Sequence, residues 1–410
     1  MSKLITNTLR HTGASSDSLT FNSDGHATVE NNLTVDGTST LTGNVTATGT
    51  LTASNFSGRN IVINGAMNIA QRGTSAAATG YKTVDRWKFN GDWPGSAITQ
   101  AQSDVAAGTT PYEKGFRKAW KVTNVSQSSA GASNFMHIDT KLEAQDIANS
   151  GWNYTSASSK ITLSFWVKSS VAQTFYGYLY TADSTAQQYP FSLGSLSANT
   201  WTKVTKTIPG HANITINNDT GEGFRIAIVP FYGTTYTASG VTLDAWGAYG
   251  SGTDCCPDNT STWYTTNDAT FAITGVQLEV SDHATEFEHL PYGVELARCQ
   301  RYFQHHFSKE NEGQTFATRF TTQAQGGITY YTALRAAPTA TLKGINIHVM
   351  DTGANVDVTS MNMTIGGTNV TTQTSLVALI TAGSLVQGDA CLAHGNAGDS
   401  PMGLWLDSEL

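Results

Sequence analysis

Charged side chains are scarce in this 410-residue sequence, in which Asp, Glu, Lys and Arg together make up 13%. That is about half of the usual share. The 23 Lys and Arg are outnumbered by 31 Asp and Glu, so the formal net charge is −8. Because the basic residues are scattered rather than clustered, we expect no nucleic-acid partner.

Long apolar runs, a secretion signal and metal-binding cysteine patterns are also missing. No stretch approaches the length of a membrane span, and the opening MSKLITNTLRHTG has no apolar core, so we expect neither membrane insertion nor a signal peptide. The four cysteines lack any CxxC spacing, which disfavours a disulfide framework and a zinc site. No glycine-rich phosphate loop is present, and no cofactor is expected.

What the sequence does contain is glycine and aromatic residues. There are 39 Gly, 16 Phe, 15 Tyr and 9 Trp. Aromatic residues favour packed β structure, so disorder is excluded for all but the first segment. The sequence predicts an all-β protein.

Residues 18–58 have a repetitive pattern in which short apolar pairs alternate with Thr and Ser. Gly37, Gly43 and Gly49 recur every six residues, which indicates strands with one turn per repeat. One chain offers no second layer to bury the apolar stripe and would leave its strand edges bare. An intertwined shaft of parallel chains solves both problems, and the alternative is a flexible Gly/Thr linker.

Residues 59–290 show strand patterns separated by Gly, Asn, Asp and Ser, as in a β-sandwich. Three segments alternate most clearly, ITLSFWVKSS, TFYGYLYTA and GFRIAIVPF. In FAITGVQLEV the apolar phase slips at Gly275, which predicts a β-bulge. A short helix is predicted over 292–304, since Pro291 precedes it and Glu295 lies in its first turn. Residues 291–410 are then a smaller β domain entered through this helix.

Several segments resemble phage tail fibre proteins. NIVINGAMNIAQRGTS (60–75), followed by VDRW (84–87), is similar to the opening of a jelly-roll module common in such fibres. ITGVQLEVSDHATEFEHLPYGVELARCQRYF (273–303) resembles the closing strand and helix of that module. ALRAAPTATL (333–342) is similar to a strand of the tip domain, and residues 10–35 resemble the leaders of these proteins.

The resemblance implies a homotrimeric virion protein of the tail, assembled in the host cytoplasm. Its parts would be a virion-proximal leader and shaft (1–58), a jelly-roll sandwich like that of carbohydrate-binding modules (59–290), and a helix-linked β tip (291–410). The N-terminus would contact other tail proteins, and the distal domains would contact a host surface glycan or protein. Alternatives are a structural tail appendage or adaptor without receptor contact, and a polysaccharide-degrading tailspike. A secreted lectin is disfavoured by the missing signal peptide.

The candidate glycan-binding residues are aromatic. Tyr176, Tyr178 and Tyr180 share one face of a predicted strand, and Trp166 lies on the polar face of the strand before it. The competing interpretation is that these rings form one of the two sandwich layers. Acidic residues are too sparse to indicate the carboxylate pair of a glycosidase, so no catalytic residue is proposed and the protein is expected not to be an enzyme. No histidine spacing indicates a metal site.

Overall fold

The structure is a computed structural model of the chain. It describes residues 8–9, 19–21, 27–29, 58–93, 98–125, 129–250, 252–308, 313–349, 353–363, 373–381, 383–396 and 402–410. The chain divides into two compact units, Met1–Ser54 and Asn55–Leu410. Within the described residues, no helix combines the length and the apolar character needed to cross a membrane.

The first unit contains three short strands, β1 (Thr8–Leu9), β2 (Leu19–Phe21) and β3 (Ala27–Val29). They pair antiparallel in the order β1-β2-β3. The remainder of the predicted shaft lies outside the described residues. Its intertwined trimeric form, and the division of the chain at residues 58 and 290, stay predictions.

The second unit begins with the strands and two short helices of a β-sandwich. In chain order these are β4 (Ser75–Ala76), β5 (Lys88–Asp92), β6 (Ile98–Asp104), α1 (Thr110–Glu113), β7 (Lys118–Asn124), β8 (Phe135–Glu143), α2 (Ala144–Ala148), β9 (Lys160–Ser169), β10 (Gln173–Thr181), β11 (Gln187–Leu196), β12 (Thr202–Pro209), β13 (Glu222–Tyr232), β14 (Thr237–Ala238), β15 (Gly247–Ala248), β16 (Cys256–Pro257) and β17 (Ala269–Glu279).

Two six-stranded antiparallel sheets form the sandwich. The front sheet has the order β15-β11-β10-β13-β8-β5, and the back sheet has the order β12-β9-β17-β7-β6-β4. The chain crosses repeatedly between them, as in a jelly roll. One large apolar core fills the space between the sheets. The chain is therefore all-β apart from short helices in its described part, as predicted.

The strand patterns place the predicted side chains in this core. Ile161, Leu163, Phe165 and Val167 of β9 are fully buried, and so are the alternating apolar residues of β10 and β13. The bulge at Gly275 is confirmed: the pairing of β17 with β9 shifts register between Thr274 and Gln277. Gly275 has φ of +64°, a conformation that residues with a Cβ rarely adopt.

The predicted helix is also confirmed. It is α3 (Tyr292–Gln300), with Glu295 in its first turn and Arg298 in its last. It ends before residue 304 because Phe303–His306 forms a strand instead. The strands that follow are β18 (Phe303–His306), β19 (Gly313–Phe320), β20 (Gln323–Thr329), β21 (Thr339–Leu342), β22 (Ile345–Val349), β23 (Asn355–Asn362), β24 (Thr374–Thr381), β25 (Ala390–Gly395) and β26 (Leu404–Asp407).

These last strands form a barrel and a small sheet. The barrel is closed in the order β19-β20-β24-β23-β22-β25, and the sheet has the order β18-β26-β21. Phe303 pairs with Asp407 and His306 with Leu404, so the two strands run antiparallel over their whole length. Barrel and small sheet share an apolar core with Phe316, Ile347, Leu379 and Leu404 among its members.

The end of the chain is anchored on the sandwich by buried charges. Glu409 pairs with both Arg72 and Arg86, and the side chains of these three residues are at most 4% exposed. Arg72 also bonds Asp407 at 3.0 Å. Each arginine also stacks on an aromatic ring at the start of β18. The guanidinium carbon of Arg86 lies 3.4 Å from the ring centroid of Tyr302, and that of Arg72 lies 3.7 Å from the ring centroid of Phe303. The sandwich and the small sheet are thus joined by a desolvated ionic cluster.

Candidate functional site

The three candidate tyrosines do share one face, the outer face of the front sheet. Phe175 and Leu179 of the same strand point into the core, as the alternation predicts. Tyr176, Tyr178 and Tyr180 instead form a second, smaller apolar cluster with β13. The strand register sets Tyr178 opposite Ala227 and Tyr180 opposite Arg225.

A cover segment, residues 236–250 and 252–257, lies over part of this tyrosine cluster. Tyr249 packs edge-on against Tyr180, with ring centroids 4.8 Å apart. Cys255 and Cys256 are buried in the same cluster, and the thiol of Cys255 donates to Gln188 at 3.0 Å. Burial raises the pKa of Cys255 to about 12, which keeps this thiol protonated.

Tyr178 is consequently not an open binding platform. It is 3% exposed, and its hydroxyl lies 3.2 Å from that of Tyr232. Burial raises the pKa values of both phenols well above their usual range. Tyr176 and Tyr180 are half-buried at the edges of the cluster. For Tyr178 the structure thus agrees with the competing interpretation, that of a ring in a packed layer.

Trp166 lies elsewhere, on the outer face of the back sheet. It belongs to β9, which sits in the other sheet from β10 although the two strands are consecutive. There it packs with Phe116, Phe287 and Trp201. The structure therefore brings the three tyrosines together and separates Trp166 from them. Two further aromatic residues of the sandwich, Trp263 and Tyr264, are fully buried in its core.

An open cleft of about 340 Å³ lies beside the tyrosine cluster on the same face of the front sheet. We call it the front cleft. Residues of β5, β8 and β13 line it, together with one residue of a preceding loop. They are Thr79, Lys88, Asn90, Gly91, Phe135, His137, Asp139, Lys141 and Arg225.

Alternation along the strands aims these polar groups outward. On β8, Met136, Ile138 and Leu142 fill the core while His137, Asp139 and Lys141 face the cleft. The register then brings neighbours into line, with Lys88 opposite Asp139 and Asn90 opposite His137. Lys141 is opposite Arg225 on the next strand. The cleft is a row of cross-strand polar pairs.

Asp139 forms the floor of the front cleft. Its Oδ1 accepts from the Asn90 amide at 2.6 Å, and its Oδ2 lies 3.5 Å from the Arg225 guanidinium without a hydrogen bond. Burial raises the pKa of Asp139 to about 6, and the positive charges of Arg225 and Lys141 offset part of that rise. The buried Oδ2 atom therefore keeps spare capacity to accept a hydrogen bond, directly beneath the cleft.

His137 joins the cleft to the tyrosine cluster. Its Nδ1 lies 3.0 Å from the Tyr232 hydroxyl, and its ring stacks on Phe135 with centroids 5.9 Å apart. Burial lowers the pKa of His137 to about 3, and the charges of Arg225 and Lys88 contribute to that lowering. The imidazole is therefore neutral at physiological pH and acts as a hydrogen-bonding ring, not as a charge.

Three carboxylates of the sandwich, those of Asp85, Asp244 and Glu279, each have their own partners and do not share a cation site. Asp85 accepts from Gln71 at 3.0 Å, Asp244 pairs with Lys206 at 3.0 Å, and Glu279 accepts from the Thr285 hydroxyl at 2.7 Å. In the described part of the chain, no three His, Cys, Asp or Glu side chains come together in a group that could hold a metal ion.

No protein-family model matches the sequence, and no curated protein does. Among solved structures, the chain is similar to the enzymatically active domain of tailspike protein 4 of bacteriophage CBA120, with 10% identity and a TM-score of 0.28. This match covers 54% of the chain and 21% of the tailspike chain.

Two further structures come from Clostridium thermocellum and Cellulomonas fimi. The xylanase 10B modules of Clostridium thermocellum, complexed with xylohexaose, match at 12% identity and a TM-score of 0.25, over 53% of this chain and 29% of theirs. The cellulose-binding domain of Cellulomonas fimi β-1,4-glucanase C matches at 11% identity and a TM-score of 0.27, over 53% of this chain and 100% of its own. TM-scores this low carry no argument about function.

Proposed function

We propose that this chain is a non-enzymatic fibre protein of a phage tail that binds host surface glycan through the front cleft. The fibre would be a homotrimer, joined through its N-terminus to other tail proteins of the virion. The segments quoted above that resemble tail fibre proteins support the setting. The arrangement of the front cleft supports the binding role, and that arrangement carries the proposal.

The front cleft has the two features that recognition of a sugar requires. Hydroxyl groups need fixed donors and acceptors, which the Asn90 amide and the Lys88 ammonium provide around one depression, while the Asp139 carboxylate beneath them fixes the Asn90 amide. The apolar face of a pyranose needs an aromatic surface, which Phe135 provides at the rim. Because Asp139 is held by Asn90 and Arg225 before any ligand arrives, little reorganisation is needed on binding.

One observation favours the rival function, a polysaccharide-degrading tailspike. Asp139 has the raised pKa that a general acid needs. Glycoside hydrolysis uses two carboxyl groups flanking the bond, however, and Asp139 is the single carboxylate among the described residues that line the cleft. Binding without cleavage is the better match.

Binding is tested with paired lysine variants. Lys88→Gln removes a half-buried cation of the front cleft, and Lys121→Gln removes a half-buried cation of β7 in the back sheet. Against purified surface polysaccharide of the host, we expect Lys88→Gln to weaken binding about tenfold, as for the loss of one charge-assisted hydrogen bond. Lys121→Gln should bind as the wild type does, measured by surface plasmon resonance. Equal affinities for all three proteins would refute the front cleft as the site.

The alternative functions have their own measurements. Release of reducing ends from the polysaccharide by pure protein would establish the depolymerase. If free protein leaves virion adsorption unchanged while binding no surface polysaccharide, the chain is a structural appendage. A solution mass equal to one chain at micromolar concentration would refute the trimer.

A further inference from the structure

A second cleft, of about 340 Å³, lies on the outer face of the back sheet. We call it the back cleft. Trp166 lines it, together with side chains that precede β7 and that follow β17. Because the back sheet and the front sheet enclose the core between them, the two clefts open on opposite sides of the sandwich.

Aromatic rings build one wall of the back cleft. Phe116, Phe287 and His289 form a three-ring cluster with centroids 4.8–5.0 Å apart. The bulge at Gly275 makes room for it, since a Cβ there would lie 2.6 Å from Cζ of Phe116. His289 is fixed by a 2.9 Å contact between its Nε2 and the carbonyl oxygen of Lys114. The rings are therefore held in place without a ligand.

Charged groups at the rim are of two kinds. Lys114 and Glu286 pair with each other at 3.2 Å, so their charges largely cancel. Lys203 is exposed and forms no ion pair within the described residues. It lies directly opposite Trp166 in the pairing of β12 with β9, which brings the two Cβ atoms to about 5 Å. The back cleft thus sets one uncompensated cation beside an indole ring.

We propose that the back cleft binds a saccharide residue that carries a carboxylate, such as a uronic acid. The apolar C–H face of the sugar packs on Trp166, and its carboxylate pairs with the ammonium of Lys203. The buried hydroxyl of Ser164 and the hydroxyl of Thr285 line the same space and can bond the ring hydroxyls. This site is independent of the front cleft and gives each chain two attachment points.

The test uses titration calorimetry with two probes, a trisaccharide of α-1,4-linked galacturonic acid and the neutral trisaccharide of α-1,4-linked galactose. We expect the wild-type chain to bind the acidic probe about tenfold more tightly than the neutral one. Trp166→Ala should weaken acidic-probe binding at least tenfold. Lys203→Gln should reduce affinity for the acidic probe to that for the neutral one. Lys160→Gln is the matched control, because it removes an exposed cation that lies at the start of β9, the strand of Trp166, and outside the cleft. It should change the affinity for neither probe.

Lys88→Gln changes the front cleft alone, so it should leave the affinity of the back cleft for the acidic probe unchanged. If Trp166→Ala and Lys203→Gln titrate like the wild type, or if Lys88→Gln alone abolishes binding of the acidic probe, the back cleft is not the site. Binding of the neutral probe at equal strength would overturn the assigned ligand class. Circular dichroism of each variant confirms that the sheets persist, so a lost titration cannot be attributed to unfolding.

Discussion

Asp139, at the floor of the front cleft, is both buried and charged. Its side chain is 0% exposed, and its one full hydrogen bond within the described residues comes from Asn90. Desolvating a carboxylate costs free energy unless partners compensate, and here the compensation is incomplete. The carboxylate therefore gains a proton at a higher pH than it would in solution.

The free energy of unfolding should depend on pH through Asp139. The pKa of Asp139 is about 6 in the folded protein, whereas an aspartate in the unfolded chain titrates near 3.9. Between these values the folded protein retains a proton that the unfolded chain releases, so Asp139 adds to the free energy of unfolding as the pH falls. The difference in unfolding free energy between wild type and Asp139→Asn should shift by about 2 kcal/mol in favour of wild type between pH 7 and pH 4.

Urea denaturation of the wild type and of Asp139→Asn at pH 7 and pH 4 measures this difference in unfolding free energy. Taking the difference removes the contributions of Asp85, whose pKa burial also raises to about 6, and of His137. A difference that stays constant with pH would mean that Asp139 titrates normally.

The sequence predicts which face of a strand a side chain occupies, but it does not predict which outward side chains become covered. The alternation of TFYGYLYTA correctly separates Phe175 and Leu179 from the tyrosines, because strand side chains alternate strictly between faces. The same rule could have identified the polar positions of FMHIDTKLE that line the front cleft. The burial of Tyr178 was not predictable, because it depends on a cover segment that begins 58 positions further along the chain, at residue 236.

At the scale of elements, β17 shows how one glycine shapes two surfaces. The bulge at Gly275 lets the strand pair with β9 on either side of the register shift, and it opens the space that Phe116 fills. A bulge reverses which face the following side chains occupy, so Val276 and Leu278 enter the core after the slip.

Gly275→Ala should therefore destabilise the protein. The added methyl group would meet the Phe116 ring at 2.6 Å, and the positive φ is unfavourable for alanine. Together these effects should lower the unfolding free energy by about 2–3 kcal/mol. Gly247→Ala on β15 is the control, because a Cβ at that position would have no atom within 4 Å and its φ is not in the strained range. Thermal denaturation compares the two, and equal midpoints would contradict the packing argument.

Sheet membership is the element-scale property that the sequence did not yield. β9 and β10 follow each other with a short turn, which favours a hairpin, yet they lie in opposite sheets. The alternation of β9 and of β10 does not distinguish a hairpin from a crossover. In either case each strand has one apolar face on the core and one outward face. That is why the sequence groups Trp166 with Tyr176, whereas the structure places them on two faces.

In the second unit, the ionic cluster at Glu409 links parts of the chain that are far apart in sequence. Its hydrogen bonds join Glu409 to Arg86 and to Arg72, which lie 323 and 337 positions earlier in the chain. Arg335 adds a bridge by donating to the carbonyl oxygens of Ser408 and Glu409. Contacts between residues so far apart in sequence slow folding. Because the buried cluster joins the sandwich to the small sheet, we expect the two to lose structure together.

Glu409→Gln should lower the unfolding free energy by about 3–5 kcal/mol, because Arg72 and Arg86 would be left buried with too little negative charge. Glu286→Gln breaks the exposed pair with Lys114, whose side chains are 78% and 50% exposed, and should cost less than about 1 kcal/mol. Guanidinium denaturation followed by tryptophan fluorescence measures both. Similar losses for the two variants would show that the cluster contributes no more than a surface ion pair.

The pairing of β18 with β26 has a consequence for how such a protein can change. Because Phe303 faces Asp407 across one strand spacing, the chain departs from the sandwich and comes back to it at neighbouring points. Topologically, residues 307–403 are an insertion between two adjacent anchors, and insertions with adjacent ends can be exchanged without rerouting the host domain. Recombination at these two strands would replace the barrel together with β21 and Arg335, and it would leave both clefts of the sandwich intact.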